Sequence, residues 1–345
     1  MKGHAVRVPR ARGEETRRAL KSVGVLRNDL GVLHEGEWLV FPLLDGVVVP
    51  PEWGEVVERE FPERPARGPI DYRELLSVPP ALREFLPRSF DVVGDMVLIR
   101  IPDSLAPHAA EIGRALLEFV PGARIVGADH GVRGAERRRS IETLAGDGGW
   151  RGRHRENGLE FDVNLETAYF SPRLAREHAA VAAAVGANER VYDLCCGVGP
   201  FALTIVRDAR AASVTCVDSN PEALGLLRAS LGRMRTRVRV DVREAPVEAF
   251  ATSAEPAERV VFNLPLEGIK YLPSVARTVA RRGHLHYYEV VPRSELGRRG
   301  EAIVRALGPP GGWELAEHHI VHPYSPAADL VAFLFERKTS PESGP

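Results

Sequence analysis

Two closely spaced glycines are the residues of this sequence whose types and spacing point most directly to chemistry. Gly197 and Gly199 follow an apolar stretch that contains Asp193, and they precede a helical pattern that begins near Phe201. Because glycine has no β-carbon, the backbone here can turn tightly and approach a ligand. Asp218, about twenty residues further on, can accept hydrogen bonds from the hydroxyls of a ribose. We predict a nucleoside-cofactor site built from these five residues, with a turn that only packs a helix against a sheet as the alternative.

Two later apolar stretches also end in residues that could contact a ligand. Asp241 stands at the predicted end of the third stretch, where a carboxylate can meet the adenine end of a cofactor or simply close a strand. Asn263 and Pro265 close the fourth stretch. An amide can donate to and accept from a purine edge, and a proline fixes the backbone beside it. The pattern predicts Asn263 and Pro265 as cofactor contacts and Asn263 also as a base-handling residue, although an asparagine that only caps a turn fits equally well.

The segment from residue 158 onward has the rhythm of an α/β, doubly wound parallel sheet, because short apolar stretches alternate with helical patterns. The predicted strands are 191–194, 214–218, 238–242, 260–264, 284–291, 314–322 and 330–337. A short loop joins the last two, which can therefore pair as an antiparallel hairpin. Five parallel strands closed by a hairpin resemble the class I, Rossmann-like methyltransferases, whose cofactor is S-adenosylmethionine. A dinucleotide-binding dehydrogenase is the alternative, but it usually has a third glycine where Phe201 and Ala202 stand.

Two further parts precede this sheet. Residues 1–60 form a small amino-terminal domain with a charged helical pattern at 13–23 and an apolar strand pattern at 38–43. A proline-rich and glycine-containing stretch then predicts a linker. Residues 70–157 mix strand and helix patterns, including a hairpin and strand at 91–102, and predict an α+β middle domain. Residues 158–345 are the predicted cofactor-binding domain.

Composition narrows the class of protein. The chain has 345 residues, 44% of them hydrophobic and 27% charged, with a net charge of −1. This is ordinary for a globular protein, and there is no stretch of the roughly 18 to 20 apolar residues that a membrane span needs and no signal-peptide pattern. We therefore expect a cytoplasmic protein with no membrane partner, with its three cysteines reduced, buried and structural. The carboxy-terminal histidines lack spacing partners for a metal site, so none is predicted.

Charge is unevenly distributed despite the near-zero total. Seven arginines lie between positions 133 and 155, among them Arg137, Arg139 and Arg155, against three acidic residues. Such a window could meet phosphate groups, or it could be a solvated surface. Further on, Ser171 is placed to cap a helix, which puts Arg173 and Glu177 one turn apart on one face. A surface ion pair is the ordinary interpretation, and a general base at Glu177 is the functional one.

Several of these motifs together resemble one family. They are the Ser-Pro-Arg-Leu run at 171–174 with Glu177, the glycine turn at 197–201, Asn-Leu-Pro at 263–265 and His-Tyr-Tyr at 286–288, with upstream motifs at 87–95 and 154–158 and a looser likeness at 7–9 and 35–36. The chain resembles the archaeal and eukaryotic type of tRNA (guanine-37-N1)-methyltransferase. The resemblance runs through nearly the whole sequence. It departs at Cys195 and Cys196, where the family commonly has Phe-Ala, and at His178, where an arginine is usual.

The resemblance implies roles for particular residues. Methylation at N1 of guanine requires removal of a proton and stabilisation of the charge that reaches O6. The family's general base falls on Glu177, its charge stabiliser on Arg137, and its base-holding asparagine on Asn263. The residues implied in tRNA binding are Arg139, Arg155, Tyr169 and Arg173. The amino-terminal domain would dock on the outer corner of the tRNA, and the chain is expected to act as a monomer without a protein partner.

Other functions fit parts of the same pattern. A wybutosine-pathway enzyme would use the same cofactor and fold but transfer its aminocarboxypropyl group, and it usually lacks the full Ser-Pro-Arg-Leu run and the Asn-Leu-Pro. A methyltransferase that also accepts a tricyclic wybutosine precursor is a further alternative. A non-catalytic RNA-binding module would be expected to have lost Glu177 or the glycines, and both are present.

Overall fold

A computed structural model describes residues 2–27, 29–62, 69–133, 138–308 and 312–339. The chain divides into two compact units, residues 1–75 and 76–345. The second unit contains the predicted cofactor-binding domain and the predicted middle domain from residue 76 onward. Within the described ranges, no helix combines the length and the apolar character needed to cross a bilayer.

The first unit is a four-stranded antiparallel sheet with one helix. Its elements are β1 (Lys2–Pro9), α1 (Gly13–Ser22), β2 (Leu33–Glu35), β3 (Trp38–Pro42) and β4 (Glu55–Glu60), and the strand order is β2-β3-β1-β4. The predicted helix and the predicted strand at 38–43 are both confirmed. Val6 and Val8 of β1, Leu20 of α1 and Phe41 of β3 pack into one buried cluster.

A mixed four-stranded sheet opens the second unit. Its elements are β5 (Asp91–Val93), β6 (Met96–Ile99), α2 (Ala109–Phe119), β7 (Ile125–Arg133) and β8 (Arg138–Gly146), in the order β5-β6-β7-β8. Gly94 supplies the left-handed residue of the β5–β6 turn, with φ of +63°. Ile112 and Leu116 are fully buried on one face of α2, as the helical period predicts.

A two-stranded hairpin, β9 (Arg151–Glu156) and β10 (Leu159–Asn164), follows this sheet. Asn157 and Gly158 form its turn, both with positive φ. The predicted boundary between residues 157 and 158 therefore falls inside a paired hairpin. Phe161 and Val163 of β10 belong to a buried cluster that also contains Leu203 and Leu226.

A seven-stranded sheet forms the rest of the unit. Its elements are α3 (Ala175–Ala184), β11 (Arg190–Leu194), α4 (Pro200–Asp208), β12 (Ser213–Asp218), α5 (Pro221–Leu231), β13 (Arg239–Glu244), α6 (Val247–Ser253), β14 (Ala257–Phe262), α7 (Leu272–Thr278), β15 (Val279–Pro292), α8 (Leu296–Leu307), β16 (Trp313–Ser325) and β17 (Ala328–Arg337). The order is β13-β12-β11-β14-β15-β17-β16. Strands β11 to β15 pair in parallel, and β17 pairs antiparallel with both β15 and β16. The predicted Rossmann-like sheet with a closing hairpin is confirmed.

The central strands are apolar because both faces of the sheet are covered by helices. In β11, Val191 packs into a core cluster on one face and Leu194 into the cluster on the other. The edge strand β16 differs, since most of its residues from Glu317 onward are exposed. The buried apolar residues thus fix where the central strands end. The loops that follow these strand ends lie at one edge of the sheet.

Gly199 is required by packing at the start of α4. It adopts φ of +78°, and an added β-carbon would lie 2.1 Å from Cδ1 of Leu227 on α5. Replacing it forces both a left-handed backbone and a clash with a buried side chain.

We expect Gly199→Ala to lower the free energy of unfolding by about 1–3 kcal/mol or more, because overpacking and strain add. Urea unfolding of the full chain measures this. Gly225→Ala is the matched control, since Gly225 lies in α5 with open space around it, and it should stabilise the protein by about 0.5–1 kcal/mol. Equal effects of the two substitutions would contradict this account of Gly199.

Candidate active site

A cavity of about 200 Å³ lies at the carboxyl ends of the parallel strands. Its lining includes Gly197 from the loop after β11, Asp218 at the end of β12, Val247 after β13 and Asn263 after β14. In open α/β sheets this edge is where ligands bind. The structure thus brings together three of the predicted cofactor residues from three different loops.

The carboxylate of Asp218 connects two of these loops. Its Oδ2 accepts a hydrogen bond from the Gly197 backbone N–H at 2.7 Å, and its Oδ1 accepts one from the Asn220 N–H at 2.9 Å. Asn220 caps α5 by accepting from the N–H groups of Glu222 and Ala223. Its amide nitrogen also donates to the Thr167 carbonyl at 2.7 Å. The cavity wall is therefore held by a hydrogen-bonded network.

Asp193 lies behind the glycine turn rather than in the cavity lining. It is buried, and its Oδ2 accepts from the Ala202 N–H at 3.0 Å, while its Oδ1 has no partner among the described residues. Burial raises the pKa of Asp193 to about 7; the bond from Ala202 opposes this shift and the charge of Asp218 adds to it. Through its bond with the Ala202 N–H, the Asp193 carboxyl group holds the start of α4 against the end of β11.

Asn263 directly follows β14 and lines the cavity. Its Oδ1 is buried and has no hydrogen-bond partner among the described residues. Buried acceptors are almost always satisfied, so a donor from a bound molecule would complete this group. Asn263 thus lies at the edge of the sheet where the sequence placed it, and none of the described residues donates to its Oδ1.

Three other residues predicted to contact the cofactor lie elsewhere. Gly199 packs against α5, as described above, and Phe201 is buried in the core with ring-centroid distances of 4.5 Å to His178 and 5.3 Å to Tyr288. Pro265 is buried, and its carbonyl accepts from the Val290 N–H at 2.8 Å. None of the three is among the residues that line the cavity.

Asp241 requires a correction. The sequence placed it at a strand end, but β13 continues to Glu244, so Asp241 lies in mid-strand and pairs with Arg243 at 2.7 Å. The cavity is lined instead by Pro246, Val247 and Glu248, which follow the strand. The signal that could have found them is Pro246, because a proline there ends the strand and starts α6.

Glu177, the predicted base, is a buried residue of α3. The Tyr288 hydroxyl donates to its Oε2 at 3.1 Å, and Nε2 of His319 lies 2.8 Å from its Oε1. No ion pair joins it to Arg173, whose Nε donates to Asp91 at 2.8 Å. Ser171 does accept from the Arg173 N–H at 3.4 Å, which confirms the predicted cap. The surface-pair interpretation of Glu177 is therefore wrong.

A second cavity, of about 210 Å³, shares Tyr169 and Ser171 with the first. Arg173 and Arg139 also line it. Arg139 is buried, and its guanidinium donates to Asp129 at 2.5 Å and to the Phe170 carbonyl at 2.9 Å, while it lies 4.9 Å from the Tyr169 ring centroid. These residues place cationic and aromatic groups beside the first cavity.

Arg155 is not among the residues that line these cavities. Arg155 is exposed on β9 and pairs with Glu160 at 2.6 Å. Arg137 lies outside the described residues. Among the residues that the structure describes, no group of three or more His, Cys, Asp or Glu side chains is arranged to hold a metal ion.

The structure shows the surroundings of His178, Cys195 and Cys196, the residues at which the sequence departs from the family pattern. His178 is fully buried, and its Nδ1 lies 2.6 Å from Oε1 of the buried Glu156 on β9. Cys196 and Cys216 are buried free thiols, and burial raises the pKa of Cys196 well above its usual range. Cys195 is only half-buried and lines the cavity, so it is not purely a core residue.

The fold and the cavity define a class I methyltransferase-like protein, and comparison with known proteins narrows this further. The sequence matches the TRM5/TYW2 methyltransferase domain over residues 152–304, the TYW2 N-terminal domain over 72–149 and the tRNA methyltransferase 5 N-terminal domain over 5–49. It is 34% identical to the tRNA (guanine(37)-N(1))-methyltransferase Trm5b of Pyrococcus abyssi, over 90% of this chain and 87% of that protein. The chain belongs to the tRNA (guanine(37)-N(1))-methyltransferase family.

Solved structures agree with this membership. The crystal structure of Pyrococcus abyssi Trm5b has a TM-score of 0.75 at 31% identity and covers 98% of this chain and 100% of that one. An aTrm5 structure in complex with tRNALeu has a TM-score of 0.71 at 26% identity, covering 97% and 99%. TYW2 of Pyrococcus horikoshii, at 20% identity and a TM-score of 0.63 over 78% and 98%, shares the fold.

The buried Asp193 should make stability depend on pH. Its folded-state pKa of about 7 lies above the value of about 4 expected in the unfolded chain. Its contribution to folding is therefore fully present at acid pH and is lost as the pH rises from about 4 through about 7. Since one pKa unit corresponds to about 1.4 kcal/mol, the loss amounts to several kcal/mol.

We expect Asp193→Asn to flatten this dependence, as measured by urea unfolding between pH 5 and pH 8. Asp241→Asn, which changes a partly exposed carboxylate, should keep the wild-type dependence. An unchanged pH slope in Asp193→Asn would show that this carboxyl group is not the source.

Proposed function

We propose that this protein is an S-adenosylmethionine-dependent tRNA methyltransferase that forms N1-methylguanosine at position 37. The observation that carries the proposal is the buried Oδ1 of Asn263, a cavity-lining residue, which has no hydrogen-bond partner among the described residues of a chain that belongs to this family. In addition, Glu177 directly precedes His178, which lines the same cavity. Membership of the family supports the substrate, and the cavity supports the cofactor.

The residues around the cavity fit a nucleoside-containing cofactor. A carboxylate can accept hydrogen bonds from the hydroxyls of a ribose, and Asp218 places one in the cavity lining. Val247 and Pro246 offer an apolar surface for an adenine ring. The open acceptor of Asn263 fits a donor on the cofactor or on the guanine. When bound, S-adenosylmethionine supplies an electrophilic methyl group.

The protein's part in the reaction is positioning and proton transfer. Glu177 would remove the proton from guanine N1 as the methyl group bonds to that nitrogen, and Asn263 would hold the base edge. Arg137 is assigned the stabilisation of the charge at O6 by the family resemblance. Tyr169 lies in both cavities, so a base held at their boundary would be next to the cofactor.

The tRNA and the domain roles belong to the same proposal. Arg139, Arg173 and the exposed Arg155 are the candidate RNA contacts. Of the proposed domains 1–60, 70–157 and 158–345, the first two contain the matched segments 5–49 and 72–149, and the third contains most of the matched segment 152–304. We propose that the first domain docks on the tRNA, and that the protein acts as a monomer in the cytoplasm.

A second candidate is the aminocarboxypropyl transfer of the wybutosine pathway. It is favoured by the match of residues 72–149 to the TYW2 N-terminal domain. Methylation of a tricyclic precursor in addition to guanine is a third. All three use the same cavity, so the group transferred and the base that receives it distinguish them.

The test is incubation with unmodified tRNA transcript and methyl-labelled S-adenosylmethionine, followed by mapping of the product. We expect label at N1 of guanosine 37 and none when that guanosine is replaced by adenosine. A parallel reaction uses S-adenosylmethionine labelled in the aminocarboxypropyl carbon. Label that reaches tRNA only in that parallel reaction would overturn the proposal in favour of the second candidate. A tRNA that carries the tricyclic precursor tests the third.

Glu177→Gln should lower the single-turnover rate of methyl transfer by about 10²–10⁴-fold, because a positioned base contributes on that scale. Cofactor affinity, measured by calorimetry, should not change. The control is Glu301→Gln, an exposed position on α8 where the carboxylate lies 3.9 Å from the guanidinium of Arg305. An active Glu177→Gln enzyme would contradict the assignment of the base.

A further inference from the structure

The carboxylate of Glu177 is held at both oxygens by residues distant in sequence. Tyr288 comes from β15 and donates to Oε2, whereas His319 comes from the edge strand β16 and contacts Oε1 at 2.8 Å. The Glu177 side chain is 11% exposed and that of His319 is 48% exposed. The closing hairpin of the sheet, β16 and β17, thus contributes His319 to the contacts of Glu177.

Both contacts bring a hydrogen-bonding group to the carboxylate. Each donor occupies one of the acceptor positions of the carboxylate, so two donors on two oxygens hold it in one orientation. Burial and the neighbouring Glu177 raise the pKa of Tyr288 well above its usual value, so its hydroxyl keeps the proton that it donates. In the tautomer with its proton on Nε2, His319 donates to Oε1 of Glu177, and Oε1 of Glu317 lies 4.0 Å from Nδ1 of the same ring.

We propose that His319 and Tyr288 are positioning residues that hold the Glu177 carboxylate fixed in orientation for proton removal from the substrate base. A carboxylate has about four acceptor positions, and two donors leave one on each oxygen for the base N–H. This inference rests on the proposed function. It adds two residues to which the sequence patterns gave no catalytic part.

The described groups around the hydrogen bonds of Glu177 come from four elements, β11, β15, β16 and α3. The groups that face it are Tyr288 on β15, His319 and Glu317 on β16, and Asp193 on β11, whose charge also acts on the Tyr288 hydroxyl. On α3 itself, His178 is engaged by Glu156. His319 is the better site for a test than Tyr288, because Tyr288 also packs against Phe201 in the core.

The experiment measures single-turnover methyl transfer to tRNA between pH 5.5 and 8.5. Loss of a donor leaves the carboxylate less firmly oriented toward the base N–H. For His319→Ala we expect the profile of rate against pH to lie about 10- to 100-fold lower, the scale of a hydrogen bond to a charged group. Affinities for cofactor and tRNA should not change.

Conservative and neighbouring variants separate positioning from folding. His319→Gln retains an N–H donor and should restore most of the rate and the wild-type profile. His318→Ala removes the adjacent histidine, which stacks on Phe333 at 5.9 Å, and should also keep the wild-type profile. Tyr288→Phe should lower the profile as His319→Ala does. Thermal unfolding checks that each variant is folded.

The outcomes are distinguishable. If the wild-type protein does not methylate tRNA, the proposed function fails. If it does and Glu177→Gln is inactive, but His319→Ala and Tyr288→Phe keep the wild-type pH profile, the positioning role is overturned. A uniform rate loss at every pH that His319→Gln does not restore would mean a structural role only, and would also overturn it.

Discussion

The carboxylate of Asp218 is the interaction on which the site depends. By accepting the N–H groups of Gly197 and Asn220, it fixes the loop after β11 against the start of α5. Asn220 in turn reaches the carbonyl of Thr167, so a third segment is tied to the same point. The loop can follow this path because Cys195, Gly197 and Gly199 all adopt positive φ. The cavity is therefore formed by the protein's own hydrogen bonds, and a ligand that enters it need not order these loops.

Much of the fold could be predicted from the sequence, because burial on two faces leaves short apolar stretches that can be counted. The seven strands of the large sheet and their closing hairpin were found in this way, and so was the position of Asn263 just beyond β14. Local rules also placed the cap at Ser171. These features depend on neighbours within a few residues, which is why one sequence suffices for them.

Other features could not be predicted, because they depend on where distant segments meet. Tyr288 and His319 lie 111 and 142 residues from Glu177, and only the assembled sheet brings them to it. The end of β13 was misplaced by two residues, which was enough to move Asp241 from the ligand edge to mid-strand. Phe201 followed a glycine turn as a cofactor residue would, but tertiary packing buried it between His178 and Tyr288.

The order of the last three strands has a consequence for synthesis of the chain. β17 is made after β16 but lies between β15 and β16, so β16 has no strand to pair with until β17 has been added. During translation, α3 and β11 to β14 emerge long before His319 can reach Glu177. Glu177 is thus present in the nascent chain before Tyr288 and His319. The full hydrogen-bonded arrangement around it forms only when β17 has emerged from the ribosome and paired with β16.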